Sequence, residues 1–461
     1  MKIAFFSSEV FPFAKTGGLA DVAGALPLAL EEFGLEVKVF MPLYKNIKPE
    51  VLKEEFGISK IGKDIEVIFI RNDAFFKRDY LYNSPQGDYP DNLERFSFFC
   101  KESLEIIRRI NFRPDILHCN DWQTALIPLY LETLYNKEEC LKNAKTLLTI
   151  HNLAYQGYFE LDKFNLLGLP QAYKAILEIY SKLNFLKAGI IKADRVNTVS
   201  PTYAKEIQTK EYGCGLEDIL KENSSKLSGI LNAIDYKVWD PSKDNFIYFK
   251  YGANNLEKKV ENKLSFQREM NLKLDKDTFL LGMVSRLAEQ KGIDILYEVL
   301  PRLLPNYQVV ILGIGDEEYH KRLSSLAKDF PQSFSLHLKF DEALAHKIYA
   351  SCDCFLMPSR FEPCGLSQMI SFKYATVPIV HATGGLKDTV VDYSQDKDKG
   401  RGFVFYEYSS KALEKTIREA FVLFSQNKEE WNFLQKKITG LDFSWPRTAQ
   451  NYLKLYESME K

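Results

Sequence analysis

AKTGGLADV (Ala14–Val22) and ATGGLKDTV (Ala382–Val390) stand near opposite ends of the chain and read almost alike. In each, paired glycines precede a leucine, a stretch able to open a helix, and an aspartate, Asp21 or Asp388. Glycine reaches positive φ and carries no Cβ to block a close approach. The N–H groups of such a turn, with the first turn of the following helix, can point at an anion. A single Gly-Gly is ordinary turn chemistry. Two of them, each after a strand-like run and each in its own half, predict two α/β lobes with a phosphate ester held between them.

The strand-like runs extend this outward. KIAFFSS, EVKVFMP, IEVIFIR, DILHCND, TLLTIHN and RVNTVSP occupy the first half, and FLLGMVSR, YQVVILGIGD, CDCFLMPSR, TVPIVHAT and GFVFY the second. Runs apolar on both faces and spaced by helix-length segments indicate parallel sheets covered on both sides. Ligands of such sheets lie beyond the carboxyl ends of the strands. The polar residues that close the runs are therefore candidates: Ser7, His118, Asn120, Asp121, His151, Asn152, Ser200, Ser285, Arg286, Gly313, Gly315, Asp316, Ser359 and Arg360. Turn residues and aromatics from Ser228 to Tyr251 suggest the passage between lobes, with a hinge near Ala233–Pro241. A charged helix-like stretch, NNLEKKVENKLSFQREMNL, follows. The expected domains are 1–240, 241–441 and a terminal helix over 442–461, with Ser444 as cap, Pro446 in the first turn, and Tyr452, Leu453 and Tyr456 on one face. The charged segment Lys45–Lys63 reads as solvated surface.

Composition excludes several classes. The 461 residues exceed one ordinary core. A net charge of −1 argues against a generally basic nucleic-acid binder. The apolar start is short and broken by Ser7, Ser8 and Glu9, unlike a signal peptide, and no stretch approaches a membrane span. Seven scattered cysteines, with Cys352 and Cys354 forming a C-x-C and no second pair at zinc spacing, fit reduced thiols in a cytoplasmic protein. No G-x-S-x-G elbow and no P-loop is present.

The richest segment runs from Pro358 to Val390, PSRFEPCGLSQMISFKYATVPIVHATGGLKDTV. Glu362 follows a strand and precedes a Pro-Cys-Gly turn at a helix start. It could bind sugar hydroxyls or stabilise positive charge at an anomeric carbon; satisfying helix N–H groups is the plainer reading. Arg286 and Lys291, five apart after a buried strand, are suited to a leaving diphosphate, and either alone is more often a salt-bridge partner. LGIGDEEY adds a glycine turn that lacks the third glycine of a dinucleotide fingerprint. His118, Asp121 and His151 raise a metal reading, but they lie on separate strands without zinc spacing. His151 could donate to a sugar hydroxyl, help a reacting C1 through its backbone carbonyl, or merely bond within its loop. Lys15 could meet a phosphate. Trp122, Tyr155, Tyr158 and Phe159 could line a saccharide surface or the core.

SSEVFPFAKTGGLADV, HCNDWQTALIP, TIHNLAYQG, NTVSPTYAKEI, GILNAID, VSRLAEQKGIDIL and PSRFEPCGLSQ…TGGLKDTV together resemble bacterial glycogen synthase and plant starch synthase, in order and along the whole chain. That resemblance implies two doubly wound Rossmann-like lobes (the GT-B architecture) facing across a deep cleft, with acceptor glucan on the first and nucleotide sugar on the second. It implies transfer of glucose from ADP-glucose, or UDP-glucose, to the non-reducing 4-hydroxyl of an α-1,4-glucan with retention, and no metal or cofactor. By the same resemblance Lys15 reaches the donor's phosphate or glucose, Gly17 and Gly18 admit the sugar diphosphate, and Asp21 and His151 hold the glucosyl unit. Arg286 and Lys291 neutralise ADP. Glu362 contacts the glucose with Cys364 and Gly365 beside it, and Gly384, Gly385 and Leu386 line the phosphate pocket.

The chain departs from the pattern at Ala233, Ser367, His381 and Ile370. Isoleucine at 370 removes the second of two glutamates eight apart found in related retaining transferases, and with it a carboxylate grip on the ribose. Alternatives are a transferase using a small acceptor, a non-catalytic glucan- or nucleotide-binding protein, and a phosphorylase. The last would need a pyridoxal-phosphate lysine in a recognisable setting.

Overall fold

Ile3 to Phe6 are wholly buried, as the uninterrupted apolar run requires when helices cover both faces of a strand. In the computed structural model, which describes residues 1–460, this strand is β1 (Lys2–Phe6), near the middle of a nine-stranded sheet. The others are β2 (Glu36–Pro42), β3 (Val51–Leu52), β4 (Phe56–Ile61), β5 (Ile65–Ile70), β6 (Ile116–Asn120), β7 (Lys145–Ile150), β8 (Arg195–Thr198) and β9 (Leu227–Gly229). Their spatial order is β9-β8-β7-β6-β1-β2-β5-β4-β3. All neighbours are parallel except β5-β4 and β4-β3.

That antiparallel edge corrects the reading of Lys45–Lys63 as solvated surface. Phe56, Gly57, Ser59 and Ile61 are buried while Lys60 is exposed, so a largely buried strand next to the sheet edge was hidden among charges.

Two compact units divide the chain: Met1–Asn232 with the segment from Trp445 onward, and Ala233–Ser444. The first is completed by the last helix, Trp445–Glu460, which packs on α1 (Gly18–Glu32). Tyr452 and Tyr456 are fully buried. The Tyr456 hydroxyl lies 2.8 Å from His118 Nδ1, and Asn197 Nδ2 donates to the Tyr452 hydroxyl at 3.2 Å. Thr448 Oγ1 donates to Leu231 O at 3.1 Å. A separate three-stranded sheet, Tyr158–Glu160, Glu178–Ile179 and Lys182–Asn184, belongs to the same unit.

The second unit holds six parallel strands: β10 (Leu280–Val284), β11 (Gln308–Leu312), β12 (Phe334–His337), β13 (Cys354–Met357), β14 (Val377–His381) and β15 (Phe403–Phe405). Their order is β12-β11-β10-β13-β14-β15. A buried ion pair locks the amino side of the sheet. Lys263 Nζ, from α2 (Glu257–Glu269), donates to Asp353 Oδ2 at 2.6 Å, and the same oxygen accepts the Leu280 N–H at 2.8 Å.

In both units the strand order reverses beside the first strand, between β1 and β6 and between β10 and β13. Each unit is thus doubly wound, with a switch point at the carboxyl ends of those strands, where open α/β sheets bind ligands. Among the described residues no helix is long and apolar enough to cross a membrane.

Candidate functional site

Around the second unit's switch point, glycines let loops meet backbone to backbone. A Cβ on Gly313 or Gly315 would come within 1.8 Å of Ser285 O or 2.1 Å of Leu287 O, so this G-x-G shapes the loop that carries Arg286. Gly292 has φ +75, and a Cβ there would sit 2.0 Å from Pro358 O; this seats Lys291 beside the loop after β13. Gly384 (φ +44) and Gly385 likewise lie against Glu362 and Cys364, where added Cβ atoms would fall 1.9 and 2.2 Å from carbonyl oxygens. Together these contacts bring the loops after β10, β13 and β14 into one cluster.

Lys291 Nζ lies 2.6 Å from Glu362 Oε2, with Lys291 19% and Glu362 8% exposed. Ser359 Oγ donates to the same oxygen at 3.1 Å. Arg286, more exposed, donates to Gln290 Oε1 at 3.0 Å. Cys364 is buried, and Gly365 (φ +74) turns the chain into α3 (Ser367–Lys373). Gly384, Gly385 and Leu386 open α4 (Gly384–Thr389) and are buried. Their amides are engaged: Gly385 N–H reaches the carbonyls of Glu362 and Pro363, and Leu386 N–H that of Thr383. The second Gly-Gly is therefore required first by the Glu362 turn it packs on.

The first unit's switch point gathers the other candidates. Lys15 Nζ lies 2.6 Å from Asp21 Oδ1, both about one-third exposed, and 5.7 Å from the centroid of the Phe11 ring. Gly17 and Gly18 are exposed, and a Cβ on Gly17 would meet nothing within 4 Å. Here, unlike the second turn, the space above the glycines is open.

His151 follows β7. Asn120 Nδ2 donates to Phe6 O at 2.9 Å, so Asn120 Oδ1 must face His151 Nε2, also at 2.9 Å. The imidazole is thus the Nε2–H tautomer, and Nδ1 is the nitrogen that can accept. In this tautomer Nδ1 can accept a hydrogen bond but has none to donate. Burial pushes its pKa down to about 3, so the ring is neutral at physiological pH.

Asp121, at the end of β6, accepts the His151 N–H at 2.7 Å and stands at φ 57, ψ −174, a conformation that is essentially glycine's own. Burial raises its pKa to about 7 against the pull of the His151 and Asn152 amides, and the charge of Glu9 adds to the rise.

His118 is spent on the core: its ring nitrogens face Tyr456 and Thr149. Trp122 packs edge-on to Phe96 and beside Phe159, whereas Tyr155 and Tyr158 are exposed. Among the described residues no group of three or more His, Cys, Asp and Glu is placed to hold a metal ion.

Two features escaped sequence reasoning. Asn120 sets the His151 tautomer, but an asparagine at a strand end carries no distinguishing signal. Phe340 is 82% exposed in the loop after β12, and Ile314 is 51% exposed in the loop after the neighbouring strand β11. A lone aromatic in the charged run LKFDE was the available clue.

Residues 2–222 match the family model described as starch synthase catalytic domain, and residues 266–428 that of glycosyl transferases group 1. A glycogen synthase of Fervidobacterium nodosum is 45% identical, covering 99% of this chain and 98% of that protein. The Thermotoga maritima glycogen synthase is 43% identical with the same coverage. Among solved structures, the catalytic domain of starch synthase IV from Arabidopsis thaliana bound to ADP and acarbose superposes with TM-score 0.91 at 32% identity, covering 100% of this chain and 99% of that one. Sucrose-phosphate synthase from Thermosynechococcus elongatus, at TM-score 0.62 and 16% identity over 99% and 98%, shares the fold. With two doubly wound units, these neighbours and near-complete coverage by its relatives, the chain has the GT-B fold and belongs to the glycogen synthase and starch synthase family of retaining hexosyltransferases.

Proposed function

We propose that the protein transfers glucose from ADP-glucose to the non-reducing 4-hydroxyl of an α-1,4-glucan, with retention, in the cytoplasm. The observation that carries this reading is the Lys291–Glu362 pair, cation and carboxylate 2.6 Å apart on loops of one switch point. An ammonium has three donors. Lys291 can therefore keep Glu362 and still reach a phosphate oxygen, so that the leaving diphosphate and the charge developing at the anomeric carbon are stabilised by one ion pair. Arg286, on the same loop as Lys291, adds a planar fork for the diphosphate.

Retention with one face available is explained when the departing diphosphate helps take the proton of the incoming hydroxyl. That route demands strong stabilisation of diphosphate charge, worth about 3 kcal/mol per well-placed donor. Neutral His151 serves as an acceptor for a glucosyl hydroxyl, with Asp121 holding its backbone. Phe340 offers an apolar face to the base. Ile370 is buried in α3, which supports recognition of the nucleotide without a carboxylate from that position. The ADP bound to the starch synthase IV neighbour favours adenine over uracil.

The test is ADP release from ADP-glucose with glycogen, run beside UDP-glucose. The expected results are extension of maltooligosaccharides, preference for ADP-glucose, and a loss of about a hundredfold in kcat for Lys291→Ala. Phe340→Ala should raise the ADP-glucose KM and spare kcat. No turnover with any glucan, or a Lys291→Ala variant equal to wild type, would refute the reading.

A further inference from the structure

The loop between β1 and α1 encloses a buried carboxylate that the mechanism above does not use. Glu9 is 3% exposed. Its Oε2 accepts the Thr16 N–H and, at 3.3 Å, the Gly17 N–H. Its Oε1 accepts Thr16 Oγ1 at 2.6 Å and the Tyr82 hydroxyl at 2.7 Å. The clamp is held from behind as well. Ser8 Oγ lies 2.7 Å from the Tyr82 hydroxyl, Tyr44 donates to Ser8 O at 2.9 Å, and Ser7 Oγ donates to the carbonyl of Glu9 itself at 2.6 Å.

Successive backbone N–H groups converging with a hydroxyl on one acceptor form the kind of concavity that binds anions. Here the anion is part of the chain. A phosphate entering the same nest would meet the carboxylate's negative charge at close range and find its donors already engaged. The opposite side of the turn stays available, since Gly17 has open space where a side chain would stand and Lys15, Gly18 and Asp21 are exposed or half-buried.

We propose that Glu9 is a positioning residue: as an internal anion filling the amide nest of the first glycine turn, it fixes Lys15, Gly17, Gly18 and Asp21 for the transferred sugar and bars phosphate from that nest. This extends the proposed function and rests on its reading of the protein as an ADP-glucose transferase.

The experiment compares Glu9→Gln, Thr16→Val and Thr16→Ser with wild type. Readouts are kcat, the ADP-glucose KM at saturating glycogen, melting temperature, and calorimetric titration with inorganic pyrophosphate. Gln offers one acceptor oxygen where the carboxylate offers two, and Val removes the hydroxyl donor. The expected outcome is a kcat loss of about thirtyfold or more for Glu9→Gln, a smaller loss for Thr16→Val, and near-complete rescue by Thr16→Ser, all without a proportionate drop in melting temperature. Glu9→Gln should also bind pyrophosphate at least about tenfold more tightly than wild type, because the nest is emptied of its charge.

Wild-type kcat and KM in Glu9→Gln would overturn the proposal, as would unchanged pyrophosphate affinity or a loss confined to melting temperature. Should Glu9→Gln fail to fold, Thr16→Val against Thr16→Ser decides. Should wild type itself release no ADP, the proposed function fails, and the pyrophosphate titration still judges the role of Glu9.

Discussion

Asp121 concentrates more constraint than any neighbour in the first unit: burial, a left-handed φ and a pKa raised to about 7. Raised above the unfolded value near 3.8, it keeps its proton in the folded state where the unfolded chain has lost it. Its contribution to stability is therefore present below about pH 4 and lost as pH rises to about 7, at about 1.4 kcal/mol per pH unit. Asp121→Asn escapes this loss. Its unfolding free energy relative to wild type should climb between pH 4 and 7 and level off above, measured by urea denaturation across that range. The same ionisation should place an inflection near pH 7 in the wild-type kcat profile, and the variant should lack it. Asp121 was legible as a strand-end polar residue. Its strain and its hold on His151 were not, because both arise from β6 and β7 lying side by side.

At the scale of elements, the glycines divide by what they make room for. The pair at 17 and 18 leaves space for a ligand. The pair at 384 and 385 admits the backbone of the Glu362 turn, a role that the nearly matching motifs do not reveal and that their neighbours in space decide. Gly384→Ala would force a Cβ to within 1.9 Å of Glu362 O and fix an L-residue at φ +44. Overpacking of this kind costs about 1–3 kcal/mol. The larger consequence should be catalytic: a displacement of Glu362 by about an ångström is worth on the order of a hundredfold in kcat. Steady-state kinetics beside thermal denaturation will separate the two. An activity equal to wild type would mean the loop after β14 does not set the Glu362 turn. All eleven strand-like runs became sheet strands, because a run apolar on both faces has few other places to go. β3, β4, β9 and β12 were missed: each lies at or beside a sheet edge, where one face is wet and the pattern merges with that of surface.

For the whole molecule, chain order and unit membership part company at the end. The first unit needs Trp445–Glu460, whose Tyr456 satisfies His118 and whose Tyr452 meets Asn197. The second unit, Ala233–Ser444, is continuous. A fragment of residues 233–444 should accordingly melt cooperatively by itself, whereas residues 1–232 should aggregate or melt broadly until the segment from Trp445 onward is supplied in trans or by fusion. Circular dichroism melts of the fragments check this, and an independently cooperative 1–232 would contradict it. The chain by itself determined the α/β class, most of the strands, the family and the residue types able to bind a nucleotide sugar. These follow from local patterning and motif order, which survive in one dimension. Only the tertiary structure decided that Lys291 pairs with Glu362, that the His151 ring carries its proton on Nε2 against Asn120, and that one glycine turn faces open space while the other is filled by backbone. Those outcomes depend on distances between residues far apart along the chain, and packing alone sets such distances.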